Sequence, residues 1–159
     1  MGKSARIDPP AAILVAAAAI GLFGATLSII LARDGHLSTL WLPNAFLLSL
    51  AALRRDWRAR SIVVAGSVAT AIANLGFGES PAISIGLIVA NAASVSANLL
   101  VLRRLFPEGL SFARPTYILR IALGALVGGL ASALVGAPLV AYGHHVDFGR
   151  LFLEWVIAD

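Results

Sequence analysis

Asn91, Ser94 and Asn98 stand at i, i+3 and i+7 within one apolar stretch, a spacing that puts them on one face of an α-helix. Amides and hydroxyls so placed either hydrogen-bond to a neighbouring helix, at roughly 0.6 to 2 kcal/mol each, or line a pocket for a polar ligand. Asn44, Ser67, Thr70 and Asn74 lie on adjoining apolar runs and are available to both arrangements. The spacing alone leaves the two open. Glu154, between Phe152 and Trp155, is the acid that falls within an apolar segment. Buried, it is a candidate protonation switch or ligand anchor; at an interface it is a solvated carboxylate.

His144, His145 and Asp147 are metal-ligating residue types, but adjacent histidines project differently and no complete ligand set is present, so no metal is assigned. The chain has no cysteine, which excludes thiolate catalysis and disulfides. It carries no Gly-rich phosphate loop, no HExxH pair, no GxSxG elbow and no carboxylate pair at a useful helical spacing. The expectation is a protein that is not an enzyme and binds no cofactor.

The elements that position these residues are membrane helices. Of the residues, 59% are hydrophobic and 13% charged, and the mean hydropathy is +0.90, far from soluble domains. The pI of 10.7 does not indicate nucleic acid, because the basic residues form short clusters between apolar runs rather than one exposed face. The fold class expected is all-α, a polytopic transmembrane helix bundle with about five full spans plus the start of a sixth.

A polar leader, residues 1–10, precedes a first span over 11–32, about 22 residues and too long for a signal-peptide core. Its Ala17, Gly21 and Ala25, with Gly24 and Ser28, recur every fourth residue and favour close helix packing. The second span enters at Trp41, with Pro43 in its first turn, and runs through residues 42–53 to Arg54, Arg55, Arg58 and Arg60. A third covers 61–75, extendable to 78, and a fourth covers 81–102, closing on Arg103 and Arg104. The fifth, 116–142, carries the ridge Gly124, Gly128, Ser132 and Gly136, and Pro138 is expected to kink or end it. Residues 151–159 read as the opening of the sixth.

With an internal N terminus, the inner side holds Lys3, Arg6, Arg54, Arg55, Arg58, Arg60, Arg103, Arg104, Arg114 and Arg120, and the outer side only Arg33 and Arg150. The positive-inside rule therefore predicts a cytoplasmic N terminus.

Several of these segments resemble the MASE1 domain, an integral membrane sensor at the N terminus of bacterial diguanylate cyclases and histidine kinases. Trp41-Leu42-Pro43-Asn44 resembles its Trp-x-Pro start to the second span, and Arg54-Arg55-Asp56-Trp57 its basic, Trp-containing loop. Ala73-Asn74-Leu75-Gly76 is similar to the end of its third span. The run from Asn91 through Leu99-Leu100-Val101-Leu102 to Arg103-Arg104 resembles its Asn-initiated helix that ends in a Leu-rich stretch and an Arg pair, and the segment from Glu154 to Asp159 is similar to its Trp-rich segment ending in Gly-Asp. Ser94 stands where the family carries an acid, and Ala158 where it carries glycine. The likeness covers residues 11–159.

It implies a membrane-integral sensory or regulatory input module of the bacterial inner membrane, incomplete at its C-terminal end relative to the family's eight or so spans. Its partners would be the lipid bilayer, an unidentified small-molecule ligand, a second copy in a homodimer, and a cytoplasmic output domain of c-di-GMP or histidine-kinase signalling. Nucleic acid is not among them. The candidate ligand-binding residues are Trp41, Asn44, Asn74, Asn91, Ser94, Asn98 and Glu154. The alternative is a substrate-binding membrane subunit of a vitamin-type transporter, which needs the same compact bundle and polar pocket.

Overall fold

The computed structural model describes residues 9–31, 41–54, 56–107 and 116–158, and its regular structure there is entirely helical. Its helices are α1 (Pro9–Leu31), α2 (Leu42–Ala52), α3 (Arg58–Gly76), α4 (Pro81–Leu105), α5 (Thr116–His144) and α6 (Phe148–Ala158). Lys3, Arg6, Arg33, Arg55, Arg114 and Asp159, with most of the expected leader, lie outside the described residues.

Local chemistry accounts for the helix ends. Ser80 caps α4, its Oγ accepting from the Ile83 N–H at 3.3 Å, and Pro81 follows at the position where a missing donor costs nothing. The turn out of α3 returns the Glu79 N–H to the Asn74 carbonyl at 3.0 Å. It passes through Gly78 at φ 91°, a conformation that favours glycine.

Four helices, α1, α3, α4 and α5, are long and apolar enough to cross a bilayer. Their outward faces stay apolar, with Phe23, Ile30, Val64, Ile72, Leu119 and Leu134 exposed, which suits lipid rather than water. The second apolar run departs from expectation. It forms α2, of only 11 residues, about 16 Å long and half of a roughly 30 Å hydrocarbon core. The apolar sequence between Trp41 and Arg54 is too short for more. Helix α6 is also 11 residues long. Helix α5 runs on past Pro138 to His144, the proline lying exposed on a helix held by packing on either side of it.

Helix α4 sits between two packed groups. Its Val95 and Leu99 join Ala17, Leu47, Ala51, Ala59, Ile62 and Val63 in one core. Ile83, Leu87 and Ala90 join Ala133, Ala137, Ala141, Leu151 and Trp155 in the other. Helices α1 and α3 meet at backbone distance: a Cβ on Gly21 would come 2.3 Å from the Gly66 carbonyl oxygen. The small residues of α1 thus act in packing.

The two ends of the bundle differ in charge. At one, Arg103 at the end of α4 donates to the Arg54 carbonyl at 2.7 Å, and Arg120 in α5 donates to the Leu105 carbonyl at 2.9 Å. Arg58 and Arg60 open α3 at this same end. At the other, His144 and Glu79 are 3.0 Å apart, joining the end of α5 to the α3–α4 turn.

Candidate functional site

Trp41 is where four segments meet. Its backbone N–H donates to the Ala158 carbonyl at the end of α6 at 3.1 Å. Its indole Nε1 donates to Asn91 Oδ1 of α4 at 3.1 Å. The next residue, Leu42, donates its N–H to Ser28 Oγ of α1 at 3.2 Å. A helix start leaves several N–H groups without intrahelical partners, and in apolar surroundings each must be satisfied or removed. Here Ala158 and Ser28 satisfy two, and Pro43 removes a third. Pro43 itself packs on Gly24, where an added Cβ would come 3.3 Å from its ring.

The C-terminal end of α6 and the N-terminal end of α2 meet at the Trp41–Ala158 hydrogen bond. Helix α6 descends along α5 from the His144 end, with the Trp155 ring over Gly136 and Val156 against Gly129. Helix α2 continues toward the arginine end, with Leu47 over Gly66 and Arg54 against Arg103. The negative C-terminal end of the one faces the positive N-terminal end of the other, a favourable alignment of dipoles. The joint lies at the level of Asn91, ten residues into the 25-residue α4 and so about 15 Å below its start.

Asn91 is 3% exposed. Because an indole nitrogen only donates, its bond to Asn91 fixes which end of the amide is oxygen. The other end, Nδ2, is buried without a partner. Leaving such a donor unsatisfied costs about 1 to 3 kcal/mol, so the joint holds one strong tie beside one unmet donor.

Apart from Asn44, the remaining expected site residues do not gather around this point. Ser94 and Asn98 face α5: a Cβ on Gly128 would lie 3.0 Å from the Ser94 carbonyl and one on Gly124 2.5 Å from Asn98 Oδ1. Asn98 Oδ1 has no hydrogen-bond partner, so this part of the stripe accommodates close helix packing. Asn74 donates its amide to the Thr70 carbonyl of its own helix at 3.0 Å, near the α3–α4 turn. Asn44 is buried in the first turn of α2, 4% exposed. Glu154 is paired within its own helix, accepting from Arg150 Nε at 2.7 Å, with 38% of its side chain exposed. That hydrogen bond, then the carboxylate charge, raises the Arg150 pKa above its ordinary value. His144 is engaged with Glu79, and among the described residues no three His, Asp or Glu side chains converge.

Ser28 and Ser84 were not singled out as site residues by spacing, and Ser67 was named only as available to a pocket or to packing. Ser28 acts as an acceptor at the joint. Ser84, seven positions before Asn91 on α4, and Ser67 on α3 each bury a hydroxyl without a partner. The heptad Ser84, Asn91, Asn98 was a readable signal; a cap supplied by the carbonyl of Ala158 was not, since any residue carries one.

Comparison with known proteins finds no matching family, no matching curated protein and no matching solved structure.

Proposed function

We propose that this chain is a membrane-integral sensory input module of the MASE1 type, which passes a signal to a cytoplasmic output domain of c-di-GMP or histidine-kinase signalling. It lies in the bacterial inner membrane as a multi-pass protein, with its N terminus and the arginine end in the cytoplasm. The orientation follows from the positive-inside rule, since Arg54, Arg58, Arg60, Arg103, Arg104 and Arg120 share one end.

The observation that carries the reading is the junction at Trp41, where the end of α6, the start of α2 and Asn91 of α4 are tied by hydrogen bonds. A sensor needs two arrangements of similar free energy, one favoured by the signal. The joint has one backbone hydrogen bond to break, one indole–amide bond to exchange and an unmet Asn91 donor for a ligand or a rearranged helix to satisfy. From there α2 leads directly to Arg54, whose carbonyl is held by Arg103. A tilt of α2 would therefore reach the cytoplasmic ends, where an output domain could feel it. Trp41 and Asn91 form the receiving point, with Asn44 below them.

The test is Asn91→Leu in the native cell, following c-di-GMP or receiver phosphorylation against the amount of chain in the membrane. The expected outcome is at least a severalfold change in output at unchanged membrane level. Identical output would remove Asn91 from the signal path.

The same meeting of two short helix ends supports a second reading, a substrate-binding subunit of a vitamin-type transporter, because carriers place substrates at the ends of half-length helices near the bilayer midplane. Co-purification of an ATPase-bearing partner together with substrate uptake would select that reading.

A further inference from the structure

Among the described residues, the arginine end carries more positive charge than the fold consumes. Arg103 and Arg120 are committed to the Arg54 and Leu105 carbonyls. The Arg120 guanidinium also lies 5.6 Å from the Phe106 ring and 5.5 Å from that of Tyr117. These two cations fasten the α2–α3 turn and the start of α5 to the end of α4. Arg58 has Asp56, whose carboxylate approaches its Nε to 3.6 Å and accepts its backbone N–H at 3.1 Å. Arg60 and Arg104 are exposed, and their side chains make no hydrogen bond or ion pair among the described residues.

Helix stability does not explain Arg60. It lies in the first turn of α3, which contains no acid, at the positive end of the helix dipole, where a cation is unfavourable. A residue that breaks a local rule without a local partner indicates something outside the chain. Asp56 is the one acid described at this end. Beside the arginines, Leu53 is 76% and Trp57 62% exposed. An exposed leucine suits hydrocarbon, an indole the headgroup boundary, and a guanidinium the phosphate, which it binds through paired donors.

We propose that the arginine end is a binding surface for anionic phospholipid headgroups, with Arg60 and Arg104 engaging the phosphates and Arg103 and Arg120 holding the surface in shape. Phosphatidylglycerol fits it better than phosphatidylcholine, whose own ammonium offsets its phosphate. The proposal rests on the membrane reading above.

The whole chain, reconstituted in phosphatidylcholine vesicles, is to be titrated with spin-labelled phosphatidylglycerol and, separately, spin-labelled phosphatidylcholine. The motionally restricted fraction reports protein-bound lipid. The expected result is a preference for phosphatidylglycerol of about fivefold per engaged arginine at low salt, lost in Arg60→Gln/Arg104→Gln and retained in Arg150→Gln at the opposite end. Stable insertion without that preference, or a preference that survives in the double variant, overturns the proposal alone. A chain stripped from the vesicles by alkaline carbonate overturns the membrane reading and the proposal together.

Discussion

Asn91 and Asn98 lie two turns apart on α4, both buried, at 3% and 9% exposure. The oxygen of Asn91 accepts the Trp41 indole N–H. The oxygen of Asn98 accepts nothing and lies against Gly124 of α5. What separates them is the surface each one meets: an indole donor in the first case, a bare glycine backbone in the second. A shared helical face fixes direction, and the neighbour's chemistry fixes the role. One amide ties segments together by a specific bond, while the other borders an interface built on close approach, where weak Cα–H···O contacts are the usual supplement.

That contrast can be broken by substitution, with stability read from helicity during denaturant titration in mixed micelles. The largest effect is expected from Gly128→Leu, which drives a side chain into the Ser94 carbonyl and Asn98, 3.0 and 3.1 Å from where its Cβ would stand; a loss of about 3 kcal/mol follows from such overpacking. Trp41→Phe comes next, at about 2 kcal/mol, because it leaves the Asn91 amide buried with neither end bonded. Asn91→Leu should cost less, about 1 kcal/mol, since it deletes the unmet Nδ2 along with the acceptor. Combined with Trp41→Phe, the two losses should fall short of their sum, and the shortfall measures the bond itself. Asn98→Leu is expected to be close to neutral, within about 0.5 kcal/mol, because an unpaired polar group is replaced by an apolar one of similar shape. If Asn98→Leu destabilises as strongly as Trp41→Phe, the two asparagines are equivalent and the contrast collapses.

Apolar length made the four long helices readable within a few residues, as for α3, expected at 61–75 and found as Arg58–Gly76. The glycine ridge of α5 was legible as a packing surface because small residues at a spacing of four have few other uses. The half-length of α2 was harder to read, since Trp41 and Pro43 suit a membrane entrance as well as a helix start inside the bundle. The candidate site was legible in its residue types and not in its grouping. Helical spacing placed Asn91, Ser94 and Asn98 together, but one helix face can touch two neighbours, and here it does. The setting of Glu154 stayed open because a span beginning at residue 151 leaves Arg150 outside it and the depth of the acid undefined; inside α6 the two are natural i, i+4 partners.

The bond from Trp41 to Ala158 joins residues with α3, α4 and α5 between them in the chain. As the chain is made, α2 exists long before the carbonyl that completes its upper end, so its first N–H stays unmatched while α3, α4 and α5 are added. Contacts of such sequence separation form late, because the intervening loop must first be closed. The joint therefore closes only after every helix between its two ends has been made, and until then α2 is held by its packing alone.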